Sequence, residues 1–210
     1  MKVWQYTGKV EREGMSEGLA AFGVDGKYGF VDVSGTVVIE PRFDRVWPFQ
    51  DGCARVELAG KQGFIDRTGK LTVSPEFEEL AEFSEGLATF VADGKTGYVD
   101  AQGKVLVPAR FDEAWPFFEG LARVKAGKRC FYIDRQGDQA FPASFDDAWS
   151  FCEGRAAVLV GGKWGFIDRQ GDLVIPARFD DVCSFEGGVA RVVEGGRGYF
   201  IDQAGQFVRN

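Results

Sequence analysis

The sequence predicts an all-β protein of six tandem 34-residue antiparallel β-repeats, closed as a six-bladed β-propeller by its N-terminal strand, with an open β-superhelix as the alternative. Three observations predict it. A motif written (F/M)-x-(E/D/G)-G-x-A recurs as MSEGLA, FQDGCA, FSEGLA, FFEGLA, FCEGRA and FEGGVA, and its glycines, Gly18, Gly52, Gly86, Gly120, Gly154 and Gly188, keep a constant interval of 34. Glycine or proline interrupts the chain every few residues, leaving short runs rich in Val, Ile and aromatics. A helix would lose about 1 kcal/mol at each interior Gly and about 3 at each Pro, so strands are expected and the helical tetratricopeptide reading of a 34-residue period is set aside. Finally, the sixth unit stops eight residues short of a full one, and the 14 residues before Met15 are long enough to supply the missing segment.

The units run 15–48, 49–82, 83–116, 117–150, 151–184 and 185–210, after a closing segment 1–14, in a single domain. In each, the first strand follows the Glu-Gly pair and carries a small residue: Ala20, Ala54, Ala88, Ala122, Ala156 or Ala190. Small side chains suit strands crowded near a propeller axis, and equally the tight stacking of an open array. The next turn is (D/G)-G-K, as at Asp25-Gly26-Lys27 and Asp93-Gly94-Lys95. The second strand ends on an aromatic, a β-branched residue and Asp, from Phe30-Val31-Asp32 to Phe200-Ile201-Asp202. An Asp-x-x-Gly turn follows, in which the carboxylate accepts backbone amides. The third strand is expected to stop at Pro41, Pro75, Pro108, Pro142 or Pro176, because proline donates nothing to a ladder. A fourth segment, FDxxWPF or a variant, closes the unit at Phe43, Phe77, Phe111, Phe145 or Phe179. If the ring closes, residues 3–6 pair with the last unit around 206–208, although Lys9 stands where the register asks for Phe.

Composition narrows the function. The chain has 45% hydrophobic residues and 20 Phe, ample material for a core, and a net charge of −7, which argues against a surface that tracks phosphates. No run approaches the ~20 apolar residues of a membrane span, and residues 1–14 do not read as a signal peptide, so a cytoplasmic protein is expected, with no nucleic-acid or membrane partner. Cys53, Cys130, Cys152 and Cys183 lack CxxC spacing and read as reduced core thiols. The sequence has no histidine, which excludes Ser-His-Asp and Cys-His catalysis and every His-ligated metal site. No Walker-type or strand-linked GxGxxG motif is present. Neither an enzyme nor a cofactor or metal is therefore expected. A hydrolase using the acidic pairs Glu78-Glu79, Asp112-Glu113, Asp146-Asp147 and Asp180-Asp181 would need two carboxylates facing each other across a cleft; four such pairs read better as a solvated rim.

The tandem units resemble the WG repeat of many bacterial proteins: G-L-A-x-V, then G-K-W-G-F-I-D, then G-K-x-V-I-P and an aromatic-Asp step. The likeness covers residues 15–210. The Trp-Gly pair is kept only at Trp164-Gly165; Tyr28, Gln62, Thr96, Cys130 and Gly198 hold the Trp position, and Phe131 replaces the Gly in the fourth unit. What the resemblance implies is a repeat-built binding scaffold from a family generally without assigned catalysis.

Residues required in every unit are most simply structural, so function is sought where units differ. After the Ala column stand Ala21, Arg55, Thr89, Arg123, Ala157 and Arg191, an Arg in every second unit. In a ring, Arg55, Arg123 and Arg191 could approach one another and hold an anion, or pair with nearby acids. A second column holds Trp47, Ala81, Trp115, Trp149 and Cys183. Trp47, Trp115 and Trp149 are either interface anchors or wedges between blades. Arg42, Arg110 and Arg178, with Arg67, Arg135 and Arg169, would add a mixed-sign interaction surface. These six Arg and Trp binding candidates support a protein-binding scaffold, monomeric alone, extending to an immunity or adaptor protein that neutralises a toxin or effector. The alternative is a lectin-like binder of carbohydrate or another small ligand.

Overall fold

The computed structural model describes residues 14–208, and every element among them is a strand. β1 (Met15–Ser16), β2 (Leu19–Val24), β3 (Lys27–Asp32) and β4 (Val37–Phe43) form the first sheet. β5 (Arg45–Val46), β6 (Cys53–Leu58), β7 (Lys61–Asp66) and β8 (Leu71–Phe77) form the second. The third holds β9 (Glu79–Leu80), β10 (Leu87–Ala92), β11 (Lys95–Asp100) and β12 (Val105–Phe111). β13 (Glu113–Ala114), β14 (Ala122–Ala126) and β15 (Arg129–Ile133) make the fourth. The fifth comprises β16 (Asp147–Ala148), β17 (Ala156–Val160), β18 (Lys163–Ile167) and β19 (Leu173–Phe179), and the sixth β20 (Asp181–Val182), β21 (Val189–Glu194) and β22 (Arg197–Asp202). All pairings are antiparallel, between strands consecutive in the chain.

The sheets do not coincide with the sequence units. The fourth segment pairs forward: Arg45 lies opposite Glu57 and Val46 opposite Val56. The cause is the turn at the motif. Asp51 and Gly52 both have positive φ, 51° and 79°, the backbone of a type I′ hairpin turn, which folds Gln50 back onto Cys53. The sixth sheet accordingly takes its first strand from Asp181–Val182. The last described residues lie in the third-strand segment, where Phe207 bridges Ile201 and the Val208 amide donates to the Phe200 carbonyl. The expected closing segment, residues 3–6, lies outside the described residues.

The prolines do not end the third strands. β4, β8, β12 and β19 run through Pro41, Pro75, Pro108 and Pro176 to the following Phe. A bulge makes this possible: Tyr28 pairs with Phe43 and Phe30 with Ile39, so the Pro sits where the ladder skips and its missing N–H costs nothing. At the bulge the third strand presses onto the Gly of the Trp-Gly position. A Cβ on Gly97 would lie 2.5 Å from the Val107 carbonyl oxygen, and one on Gly165 2.6 Å from that of Ile175; Gly29 and Gly63 are tighter still against Ile39 and Val73. The fourth and sixth sheets carry Phe131 and Tyr199 there. Among the described residues neither lays down the unit's third strand; residues 139–145 pair with β15 through the bridges Ile133–Gln139 and Cys130–Phe145 and pack Phe141 and Phe145 against Tyr132.

The core is a series of inter-sheet layers rather than one centre. Phe30, Ile39 and Phe43 of the first sheet interlock with Ala54, Val56 and Ile65 of the second. Phe64, Val73 and Phe77 repeat this against Leu80, Ala88 and Val99 of the third, and the pattern continues to the junction of Phe166, Ile175 and Phe179 with Ala190, Val192 and Ile201. Each buried aromatic contributes about 1.5–3 kcal/mol, so every junction carries a share of the stability. The small Ala of the second to sixth sheets lies in these layers, where a larger side chain would hold neighbouring sheets apart, while Ala20 packs within the first sheet.

Candidate functional site

The recurring polar residues are consumed in stitching sheet to sheet. Glu17, at a positive φ of 51°, directs its carboxylate to the Gly52 amide of the next turn, 3.2 Å away. Glu85, Glu119 and Glu153 reach Gly120, Gly154 and Gly188 in the same way. Arg67, Arg135 and Arg169 donate to the carbonyls of Glu17, Glu85 and Glu119 at 2.7–2.8 Å. Arg42 and Arg110 donate to the Gly69 and Gly137 carbonyls, while Arg178 lies over Phe179 and Phe207. The mixed-sign interaction surface expected from these arginines is therefore largely a set of internal ties. The signal missed was the Glu of the E-G pair: a long carboxylate at a turn position that prefers Asn, Asp or Gly.

The structure places the two variable columns side by side. Trp47 and Arg55 occupy adjacent strands of one sheet, the Trp47 amide donating to the Arg55 carbonyl at 3.0 Å, and Trp115 and Arg123 repeat this at 3.1 Å. The guanidinium lies over the indole, its Cζ 4.2 Å from the Trp47 ring centre and 3.8 Å from that of Trp115. From there each Arg reaches the next sheet. Arg55 donates to the Leu80 carbonyl and pairs with Glu82 at 3.4 Å; Arg123 donates to the Ala148 carbonyl and pairs with Asp147 at 3.8 Å. The two arginines therefore do not meet in one anion site, since each is committed to a different junction. Trp149 has Ala157 beside it in place of Arg and meets Trp164 edge to face at 6.0 Å. Arg191 is exposed and makes no hydrogen bond or ion pair among the described residues.

The ties alternate. The Arg clamps are 68 residues apart and join even sheets to odd ones. Ser16, Ser84 and Cys152, also spaced by 68, donate to the carbonyls of Phe49, Phe117 and Phe185 and join odd sheets to even ones. Arg191 is the clamp residue of the sixth sheet, and among the described residues no carbonyl receives it. The same face carries Phe200, 48% exposed, whereas its five counterparts Phe30, Phe64, Tyr98, Tyr132 and Phe166 are at most 1% exposed.

The titrating groups follow from these roles. The Ser34 hydroxyl, with the Thr36 and Ser34 amides, holds Asp32 below the usual carboxylate range, and the Thr68 hydroxyl does so for Asp66, as expected of turn caps. Lys27, Lys95 and Lys163 lower Asp44, Asp112 and Asp180. Burial pushes the thiols of Cys53, Cys130 and Cys152 up, as it does the phenols of Tyr98 and Tyr132. All four cysteines are free; Cys130 is buried, but Cys183 is exposed, which corrects its reading as a core thiol. Among the described residues no group of three or more acids and thiols is arranged to hold a metal, and no helix is long and apolar enough to cross a membrane.

The family model described as WG containing repeat matches this chain five times, over residues 28–61, 63–95, 97–130, 131–164 and 164–197. The protein belongs to the WG repeat family. Its WG units show why the pair is asymmetric: the Gly is pressed by the third strand, whereas the Trp position tolerates Tyr, Gln, Thr, Cys and Gly. No curated protein matches the sequence. Among solved structures, a eukaryotic initiation factor is similar at 14% identity and a TM-score of 0.52, over 90% of this chain and 62% of that one. Hsv2 of Kluyveromyces lactis, with its loop 6CD replaced by a Gly-Ser linker, is similar at 12% identity and a TM-score of 0.48, over 75% of this chain and 62% of that one. The WG chain thus spans about three fifths of the length of either, and at these identities the first likeness shows the fold alone: a propeller-like succession of small antiparallel sheets.

Proposed function

We propose that this WG-repeat protein is a non-catalytic, cytoplasmic scaffold that binds one partner protein. One observation carries the reading: the Arg, Glu and Asp side chains that recur from unit to unit are committed to turns and inter-sheet ties, and every carboxylate with a shifted titration is held ionised by such a tie rather than poised to exchange a proton. A small acidic repeat without catalytic equipment suits stoichiometric neutralisation of a partner, which favours an immunity or adaptor role against a toxin or effector. The lectin-like reading is weakened because Trp47 and Trp115, its stacking platforms, have an Arg on their faces. Affinity capture from the native host at mild salt, followed by calorimetry with the purified partner, is expected to give one-to-one binding; repeated capture of nothing would count heavily against the scaffold.

The architecture proposed for this scaffold is a closed six-bladed ring. Two features support it. The sixth sheet presents a clamp residue, Arg191, with no hydrogen bond or ion pair among the described residues, and an uncovered Phe200, whose counterparts are at most 1% exposed. In the register of the repeat, Glu11 and Arg12 stand where Asp147 and Ala148 receive Arg123. Deleting residues 1–10 is expected to lower stability by several kcal/mol, since strand pairing and its packing go together. A truncated protein that melts like its parent would mean an open array.

A further inference from the structure

We propose that the junction of the second and third sheets is a socket for an aromatic side chain, an indole above all, of the bound protein; this rests on the scaffold reading and names what the scaffold recognises. A cavity of about 310 Å³ opens there, lined by Arg55 and Gln62 from the second sheet and by Glu79, Ala81, Thr89 and Val91 from the third. That is the low end of ligand-pocket volumes, the scale of a single ring rather than an extended ligand.

Two departures from the repeat coincide at this socket and leave its walls without a ring. In the register of the repeat each Trp-Gly position is followed 19 residues later by the second Trp column: Tyr28 by Trp47, Thr96 by Trp115, Cys130 by Trp149, Trp164 by Cys183. Every one of these includes a large aromatic. Only Gln62 with Ala81 has none. The first junction also has a cavity, of about 400 Å³, but two aromatic rings wall it: it is lined by Ala21, Tyr28, Asp44, Arg45, Val46 and Trp47, and does not extend to Arg55 or Glu57, the counterparts of Thr89 and Val91. With Ala81 in place of an indole, the cavity at the second junction reaches Thr89 and Val91 of the third sheet. The rim at this junction is also unclasped, because Asp51 stands where the other turns have Glu17, Glu85, Glu119 and Glu153, and Ala101 where they have Arg67, Arg135 and Arg169.

The lining fits a ring that is apolar on its faces and carries one polar hydrogen. Leu80, Ala81 and Val91 give an apolar floor. The Glu79 carboxylate is exposed and has no ion pair among the described residues, so it offers an acceptor for an indole N–H or a phenol O–H. Gln62 is fixed by its Oε1, which accepts the Leu80 amide at 2.9 Å and leaves its NH2 as a donor. A ring entering from a partner would occupy the place that Trp47, Trp115 and Trp149 fill in other sheets, and a buried Trp or Tyr anchor of this kind dominates many protein interfaces.

The test uses the full chain and N-acetyl-tryptophanamide as probe, followed by NMR. Saturable binding is expected, with shifts confined to residues 55, 62, 79–81 and 89–91, and at least tenfold weaker binding of N-acetyl-leucinamide. Ala81→Trp places the fold's own indole in the socket and is expected to keep the parent Tm while weakening both the probe and the captured partner at least tenfold. If that variant melts early, Thr89→Arg, which restores the residue of the neighbouring columns, is the second way to fill the site. Equal binding of the leucine and tryptophan probes, or probe binding that survives both substitutions, would overturn the socket. A partner that binds Ala81→Trp as tightly as the parent would overturn its role in recognition and leave the scaffold standing. Probe binding with no protein partner would remove the scaffold, and with it a protein as the source of the ring.

Discussion

The third and fourth sheets have nearly the same sequence pattern and end differently. In the third, Gly97 allows β12 to cross β11 and pair along seven residues; in the fourth, Phe131 occupies that place and residues 139–145 are held by two isolated bridges. The fourth sheet compensates with aromatic bulk, as Phe131 packs edge to face with Phe111 at 6.1 Å and Phe141 meets Tyr132 at 5.5 Å. The comparison teaches that the glycine of the Trp-Gly pair is what admits the third strand, and that packing against the neighbouring sheet can hold a blade together without it.

The comparison can be broken most severely at Gly97. Gly97→Phe in the third sheet, which lacks the fourth sheet's compensating aromatics, is expected to destabilise the protein by about 3 kcal/mol or more and to abolish hydrogen-exchange protection over 105–111. A loss under about 1 kcal/mol would show that the close approach is not what excludes a side chain. Next in size is the clamp. Arg123→Met should lower stability by about 1.5–3 kcal/mol, the range for hydrogen bonds to charged groups, as measured by urea unfolding. Arg191→Met sharpens this: an equal loss requires a sheet against the sixth, as in a closed ring, whereas a change within about 0.5 kcal/mol fits an open end. The reverse substitution, Phe131→Gly, removes aromatic packing while making room for a third strand, and a net change of about 1 kcal/mol or less is expected, with new exchange protection over 139–145 as the readout. The smallest effect is on acid stability. Asp32, Asp44, Asp66, Asp112 and Asp180 titrate below the ordinary 3.8, so their contribution is present at neutral pH and is lost as the pH falls below that value. The Tm is expected to hold from pH 7 to about 5 and to drop below about 4; Asp112→Asn should flatten the lower limb, and an unchanged limb would show that the Lys95 contact does not persist in solution.

The repeat, the strand character and the capping role of the Asp-x-x-Gly turn were legible because each leaves a fixed-offset signature in every unit. Sheet membership was not. The Phe-Asp segment could pair backward or forward, and only the type I′ turn at Glu17-Gly18 and its counterparts, with a non-glycine residue at positive φ, decides for forward. The prolines misled because a bulge removes the need for their N–H. The Arg and Trp columns were found as a pattern, but not that they stack on each other and reach the next sheet, since that depends on which carbonyl a neighbouring sheet presents. The socket was invisible because it is made of absences, Gln62 and Ala81, which stand out only when the other junctions show what usually fills the space.

The alternation of ties bears on how such a chain can change length. Every tie ends on a backbone carbonyl, so a duplication or loss of 34 residues would set two Arg joints or two Ser or Cys joints in succession and still leave each donor an acceptor. A step of 68 residues brings both kinds of joint along together. The donors of this protein thus repeat every two sheets and their acceptors every sheet, so the array can lengthen by single units and keep a tie at each joint.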